Sequence, residues 1–174
     1  MGALSRRPPQ DDVPEYYSRY VARVPDGDIS AILATQIDDT VALLAGLADD
    51  QALHRYAPGK WSIKDVLCHM ADVERVLSYR LLRFARGDVT SLPGFDENAY
   101  APAARADDRP LPDLLAELQA VRAATVALLR GLPDDALDRP GTANGVHFSP
   151  RALAWIIAGH ELHHRHILRE RYLP

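Results

Sequence analysis

Apolar side chains recur at intervals of three, four and seven residues in four separate stretches of this chain, and no stretch alternates apolar and polar residues over a useful strand length. Each such stretch makes a helix with one apolar stripe, which is stable only when another element covers it. Four amphipathic helices of roughly 20 residues cover one another as a bundle, so the sequence predicts an all-α, four-helix domain. The first helix is expected from the capping residue Asp28 to about Ala48, with Ile29, Leu33, Ile37 and Leu44 on its stripe. The second opens at Ser62, has Asp65 at the third helical position and Trp61 set to staple onto Val66, and closes near Arg86 and Gly87. A third starts near Pro112 and carries Leu114, Leu118, Val121 and Leu128; the fourth starts at Ser149 and Pro150.

Residues 1–27 read as an N-terminal arm whose Tyr16, Tyr17, Tyr20 and Val21 could lay a short helix on the domain formed by residues 28–174. Residues 87–110 show no helical or strand period, and an uncommitted connection of that length inside a compact domain is functional or mobile. With the connection PDDALDRPGTANGVHF before the last helix, it permits a topology other than simple up-down-up-down.

The balance of 24 acidic and 20 basic residues gives a net charge of −4, with no basic stripe to meet a polyanion, so nucleic acid is not an expected partner. No apolar run approaches the ~20 residues of a membrane span, and prolines and acids stand where a signal peptide needs an apolar core. The expectation is a cytoplasmic protein. The single cysteine, Cys68, excludes an intrachain disulfide and a cysteine zinc cluster.

Histidine is the compositional oddity: of seven in the chain, His160, His163, His164 and His166 fall together in GHELHHRHILRERYLP. At ~100° per residue, His160 and His164 lie about 20° to either side of the stripe set by Leu153, Ile156, Ile157, Ile167 and Leu168. His163 falls about 80° off that centre and His166 about 140°, facing solvent. Two stripe histidines one turn apart are either hydrogen-bonded core residues or two ligands of one metal, and a third ligand must come from another helix. His69 is the one histidine in the first three helices and sits at the margin of its apolar face; His54 and His147 fall in connections.

HELHH matches the H-E-x-x-H of zinc proteases with Glu161 as base, but only ten residues follow His164 to supply a third ligand, and no sheet is present to bind a peptide. Glu161 and His164 match half of a di-iron site whose second copy is absent. Covalent haem lacks its cysteine pair, while noncovalent haem between His69 and His160 stays open.

The segments YAPGKWSIKDVLCHMADVERVLSYRLLRFARGD, LPGFDENAY and IIAGHELHHRHILRERYL resemble the DinB/YfiT-like metalloenzymes, over most of the chain from about Tyr20 onward. The resemblance implies a four-helix bundle with a long crossover, one divalent metal bound by His69, His160 and His164, and a homodimer. Family members are described as metal-dependent hydrolases or as transferases and isomerases using low-molecular-weight thiols, and some belong to stress responses. Three neutral imidazoles leave coordination positions open, for water in a hydrolase or for a thiol in an S-transferase. Imidazole suits several metals, with zinc or nickel expected first.

Around this centre, Asp72 stands one turn beyond His69 as a candidate partner for its ring, and Glu161 beside His160 is a candidate for proton transfer or a solvated helix position. Asp65 reads as a cap and Cys68 as inert. The segment 88–110, with Phe95, Asp96, Asn98 and Tyr100, is the candidate lid over a small-molecule substrate. The rival reading is a noncatalytic, stress-related bundle whose histidines staple helices together.

Overall fold

The computed structural model describes residues 2–173. Its frame is four long helices, α2 (Ile29–Leu44), α3 (Ile63–Ala85), α5 (Leu111–Arg130) and α6 (Pro150–Ile167), with two short ones, α1 (Glu15–Val21) and α4 (Glu97–Ala104). The starts follow the capping chemistry of the sequence. Asp28 accepts from the backbone N–H groups of Ser30 and Ala31. Ser62 and Asp65 form a reciprocal capping box. Ser149 accepts from the Ala152 N–H, with Pro150 in the first turn. At the far end of α3, Gly87 takes a φ of 78°, which lets the chain leave the helix sharply. α2 stops at Leu44, before the expected Ala48, because Gly46 is a poor helix former.

α3 packs against both α5 and α6, and α2 against the same two. The ring order is therefore α2, α5, α3, α6, with the consecutive long helices α2 and α3 on a diagonal rather than side by side. The long connections make this possible, and neither is unstructured. Residues 87–110 contain α4, capped by Asp96, and a short 3₁₀ turn, Ala106–Asp108, correcting the expectation of an uncommitted loop. The second connection holds an antiparallel hairpin, β1 (Gly141–Ala143) and β2 (Val146–Phe148). Its Asn144 and Gly145 both have positive φ, 51° and 75°, as a two-residue type I′ turn requires. Leu92 joins β1 as a bridge, bonding Thr142 O and Asn144 N at 2.9 Å each, so the two connections are tied together over one end of the bundle.

The core forms two apolar clusters, one around Leu33, Leu77, Leu129 and Trp155, the other around Ile37, Met70, Leu118 and Leu168. Between them lies a buried polar layer to which all four long helices contribute: Gln36 and Thr40 from α2, Glu74 from α3, Arg122 from α5, and His160, Glu161 and His164 from α6. α1 packs across α6 at Gly159, where a β-carbon would run into the backbone of Tyr20.

Candidate metal centre

α6 presents His160 and His164 on one face, and α3 brings His69 to meet them. The three residues offer ring nitrogens that all lie within 4.8 Å of one another. His160 Nε2 is 3.1 Å from His69 Nε2 and 3.1 Å from His164 Nε2. Burial holds all three rings neutral: it lowers the His69 pKa to about 4 and those of His160 and His164 well below the ordinary value, with the neighbouring histidines adding to the effect.

The donor set fits a divalent ion. A neutral imidazole nitrogen carries either a proton or a lone pair, so one hydrogen bond from His160 Nε2 satisfies one neighbour and leaves the other unmatched. An ion takes all three lone pairs, and nitrogens about 2.0–2.1 Å from one tetrahedral ion stand about 3.3 Å apart, close to the 3.1 Å that separates His160 Nε2 from each of the other two. The same spacing is too short for a porphyrin to pass between His69 and His160, which removes the haem alternative.

Beside the imidazoles, the polar layer is closed by ion pairs. Arg122 grips Glu74 in a bidentate pair of 2.9 and 2.8 Å, donates to Leu33 O at 3.0 Å, and meets Glu161 at 2.6 Å. Glu161 also accepts from Thr40 at 2.6 Å and from Gln36. Two carboxylates on one guanidinium leave one formal negative charge buried in this layer, which an ion held by the histidines would offset.

Neither Asp72, the candidate partner of the His69 ring, nor Glu161, the candidate for proton transfer, hydrogen-bonds a histidine of the centre among the described residues. Glu161 is buried, not solvated, and is turned toward α2 and α5; it does not line the cavity described below. Asp72 bonds Arg75 at 3.4 Å, with Cys68 Sγ at 3.9 Å, and makes no hydrogen bond to the His69 ring among the described residues. Asp65 is the cap, and Cys68 is buried, its thiol pushed up to about 11 by burial and then by Asp72. His54, His147 and His166 are exposed and apart from the centre.

A cavity of about 580 Å³ opens onto all three rings. Trp61 packs on His69 with ring centroids 4.6 Å apart, and Tyr20 stands edge-on to His160 at 5.6 Å and to His163 at 5.2 Å. Of the lid segment 88–110, Gly94, Phe95 and Glu97 line the cavity; of the other residues singled out there, Asp96 caps α4, Asn98 is exposed, and Tyr100 packs on Phe95 with centroids 5.4 Å apart. Arg80, which sequence reasoning did not single out, also lines it, as do Tyr17 and Tyr20, expected there only as arm residues packed on the domain. A signal existed for Arg80: eleven residues after His69, it falls within about 20° of the same helix face.

The fold and the site together define a four-helix bundle with a three-histidine centre open to a cavity. A model of the DinB superfamily matches residues 32–168, and the chain belongs to that superfamily. Among solved structures, YfiT from Bacillus subtilis, described as "a probable metal-dependent hydrolase with an unusual four-helix bundle topology", superposes with a TM-score of 0.72 over 97% of this chain and 95% of that chain, at 18% identity. At that identity the likeness speaks for the fold. No curated protein matches the chain.

Proposed function

We propose that the chain is a metal-dependent enzyme in which His69, His160 and His164 hold one divalent ion, zinc or nickel, and that it acts on a small molecule as a hydrolase or a low-molecular-weight-thiol S-transferase. The convergence of three neutral imidazoles on a point that faces the cavity carries this reading. A structural site is closed by a fourth protein ligand, whereas here the described residues supply three and leave a side open to small molecules. An ion bound there supplies Lewis acidity toward a water or thiol nucleophile and its electrophilic target.

The protein's own part is placement. His160 and His164 share one helix turn, so their separation is fixed by α6, and the Arg122 and Glu161 ion pair holds α6 against α5. Trp61 packs on His69 and Tyr20 on His160, so each of these rings is held by an aromatic neighbour. YfiT's description as "a probable metal-dependent hydrolase" agrees with the hydrolase arm of the reading.

The test is elemental analysis of untagged protein beside His160→Ala and His164→Ala variants shown to be folded by circular dichroism. About one divalent ion per chain is expected, lost in both variants. No ion, and none taken up from added zinc or nickel, would move the noncatalytic bundle to first place. A modest fall in melting temperature on chelation accompanies an open catalytic site; collapse of the fold marks a structural staple.

A further inference from the structure

Arg80 on α3 is 3% exposed, and no carboxylate among the described residues pairs with it. Its guanidinium spends one of five N–H donors on Pro93 O, at 2.8 Å, and stands 5.9 Å from the Phe95 ring centroid. Every other buried arginine of the bundle is matched: Arg122 by Glu74 and Glu161, Arg151 by Asp138. Burial pulls the Arg80 pKa below its ordinary value, the opposite of what an ion pair does. A desolvated cation without a counter-ion is costly, and this one lines the cavity. Glu97 is the one carboxylate among the cavity's lining residues, and it forms no ion pair with Arg80.

We propose that the cavity takes a small molecule with a terminal carboxylate, received by Arg80, and an apolar or aromatic body that spans from there to the histidine centre. This rests on the reading of the cavity as the substrate site of that centre. The four free donors of Arg80 suffice for a bidentate carboxylate pair, the planar fork's natural partner. Arg80 lies on the His69 face of α3, about 16 Å further along the axis, and its side chain leans back toward the helix start. The anionic group is thus not the part that meets the histidines. Val73, Leu77, Ile156, Tyr17, Tyr20 and Phe95 give the cavity apolar and aromatic wall, and its other cation, Arg19, is exposed and so already hydrated, unlike Arg80. The body of the ligand is read by burial, its far end by charge.

The test uses metal-loaded protein and calorimetric titration with 4-phenylbutyrate, 4-phenylbutyramide and 3-phenylpropylphosphonate. The carboxylate is expected to bind about tenfold or more tightly than the amide, with the preference abolished in Arg80→Met and partly kept in Arg80→Lys. Equal affinity for acid and amide, no measurable binding of the acid, or an unchanged preference in a folded Arg80→Met overturns the proposal. A phosphonate that binds more tightly than the carboxylate overturns the carboxylate assignment. Where Arg80→Met does not fold, Arg80→Gln takes its place, and the acid-over-amide preference is expected in chelated protein as well, where no ion competes with Arg80 for the carboxylate. Metal content separates this proposal from the one it rests on: a metal-bearing protein without the preference loses only the carboxylate, whereas the preference in a protein that takes up no metal loses only the metal centre.

Discussion

Single side chains in the polar layer are held by unequal bargains between charge and burial. Burial alone would lower the Arg122 pKa, but Glu74 and Glu161 outweigh it and raise it above the ordinary guanidinium value. Arg122→Met would leave two buried carboxylates facing each other, so a loss of about 3–5 kcal/mol is expected in urea unfolding. A loss under about 1 kcal/mol would mean that the pairs are open to solvent. Cys68 is the opposite case, a thiol with nothing to stabilise its anion. With its pKa pushed up by burial to about 11, it should react with iodoacetamide near pH 8 on the order of a hundredfold more slowly than a free thiol, and at the free rate once unfolded. The expectation from sequence that Cys68 is inert agrees with its raised thiol, whereas the role of Arg122 is signalled in the sequence only by its position. Arg122 sits at helical spacing within Leu114, Leu118, Thr125 and Leu129, and a charge on an apolar stripe is the mark of a buried pair. Glu161 gives no such warning, because it lies about 80° from the centre of the α6 stripe and is covered only through the docking of α2.

At the scale of elements, the site depends on how closely α1 approaches α6. Tyr20, which packs on His160, rides on α1, and its backbone passes over Gly159 where a side chain would not fit. Gly159→Ala should therefore push α1 outward despite the better helix propensity of alanine, costing about 1–3 kcal/mol. Limited proteolysis should then cut the arm faster while α2 to α6 stay intact; an arm as resistant as before would show that the contact relaxes in place. The four long helices were legible because caps and apolar periods are local properties of the chain. Their ring order was not, since a stripe states that a face is buried but not which helix buries it. α4 escaped notice because ENAYAPAA buries only Ala101 and contains Pro102. The hairpin strands, three residues each, are too short to show a period, although Asn144-Gly145 was a turn signal in plain view.

Across the whole molecule, the polar layer divides the apolar core in two and places three neutral imidazoles at its edge. That arrangement makes the metal-free protein sensitive to acid in a direction that can be worked out. Each imidazole has a folded pKa below its unfolded value near 6.5, so below that pH the unfolded chain binds protons that the folded chain refuses. Stability is therefore fully present above about pH 6.5 and lost as pH falls toward about 4, where His69 is protonated in the fold as well. A bound divalent ion competes with those protons, so the loaded protein should hold its melting temperature to lower pH before ion and fold are lost together. The measurement is melting temperature at about pH 7.5, 6.5 and 5.5, with chelator and with zinc. The chelated curve should fall below about pH 6.5, and the His160→Leu, His164→Leu double variant should flatten it, since two of the three groups that refuse the proton are then gone. A chelated curve that stays level across that range would mean that the imidazoles reach water without a metal, and the buried neutral triad on which the metal centre rests would not hold.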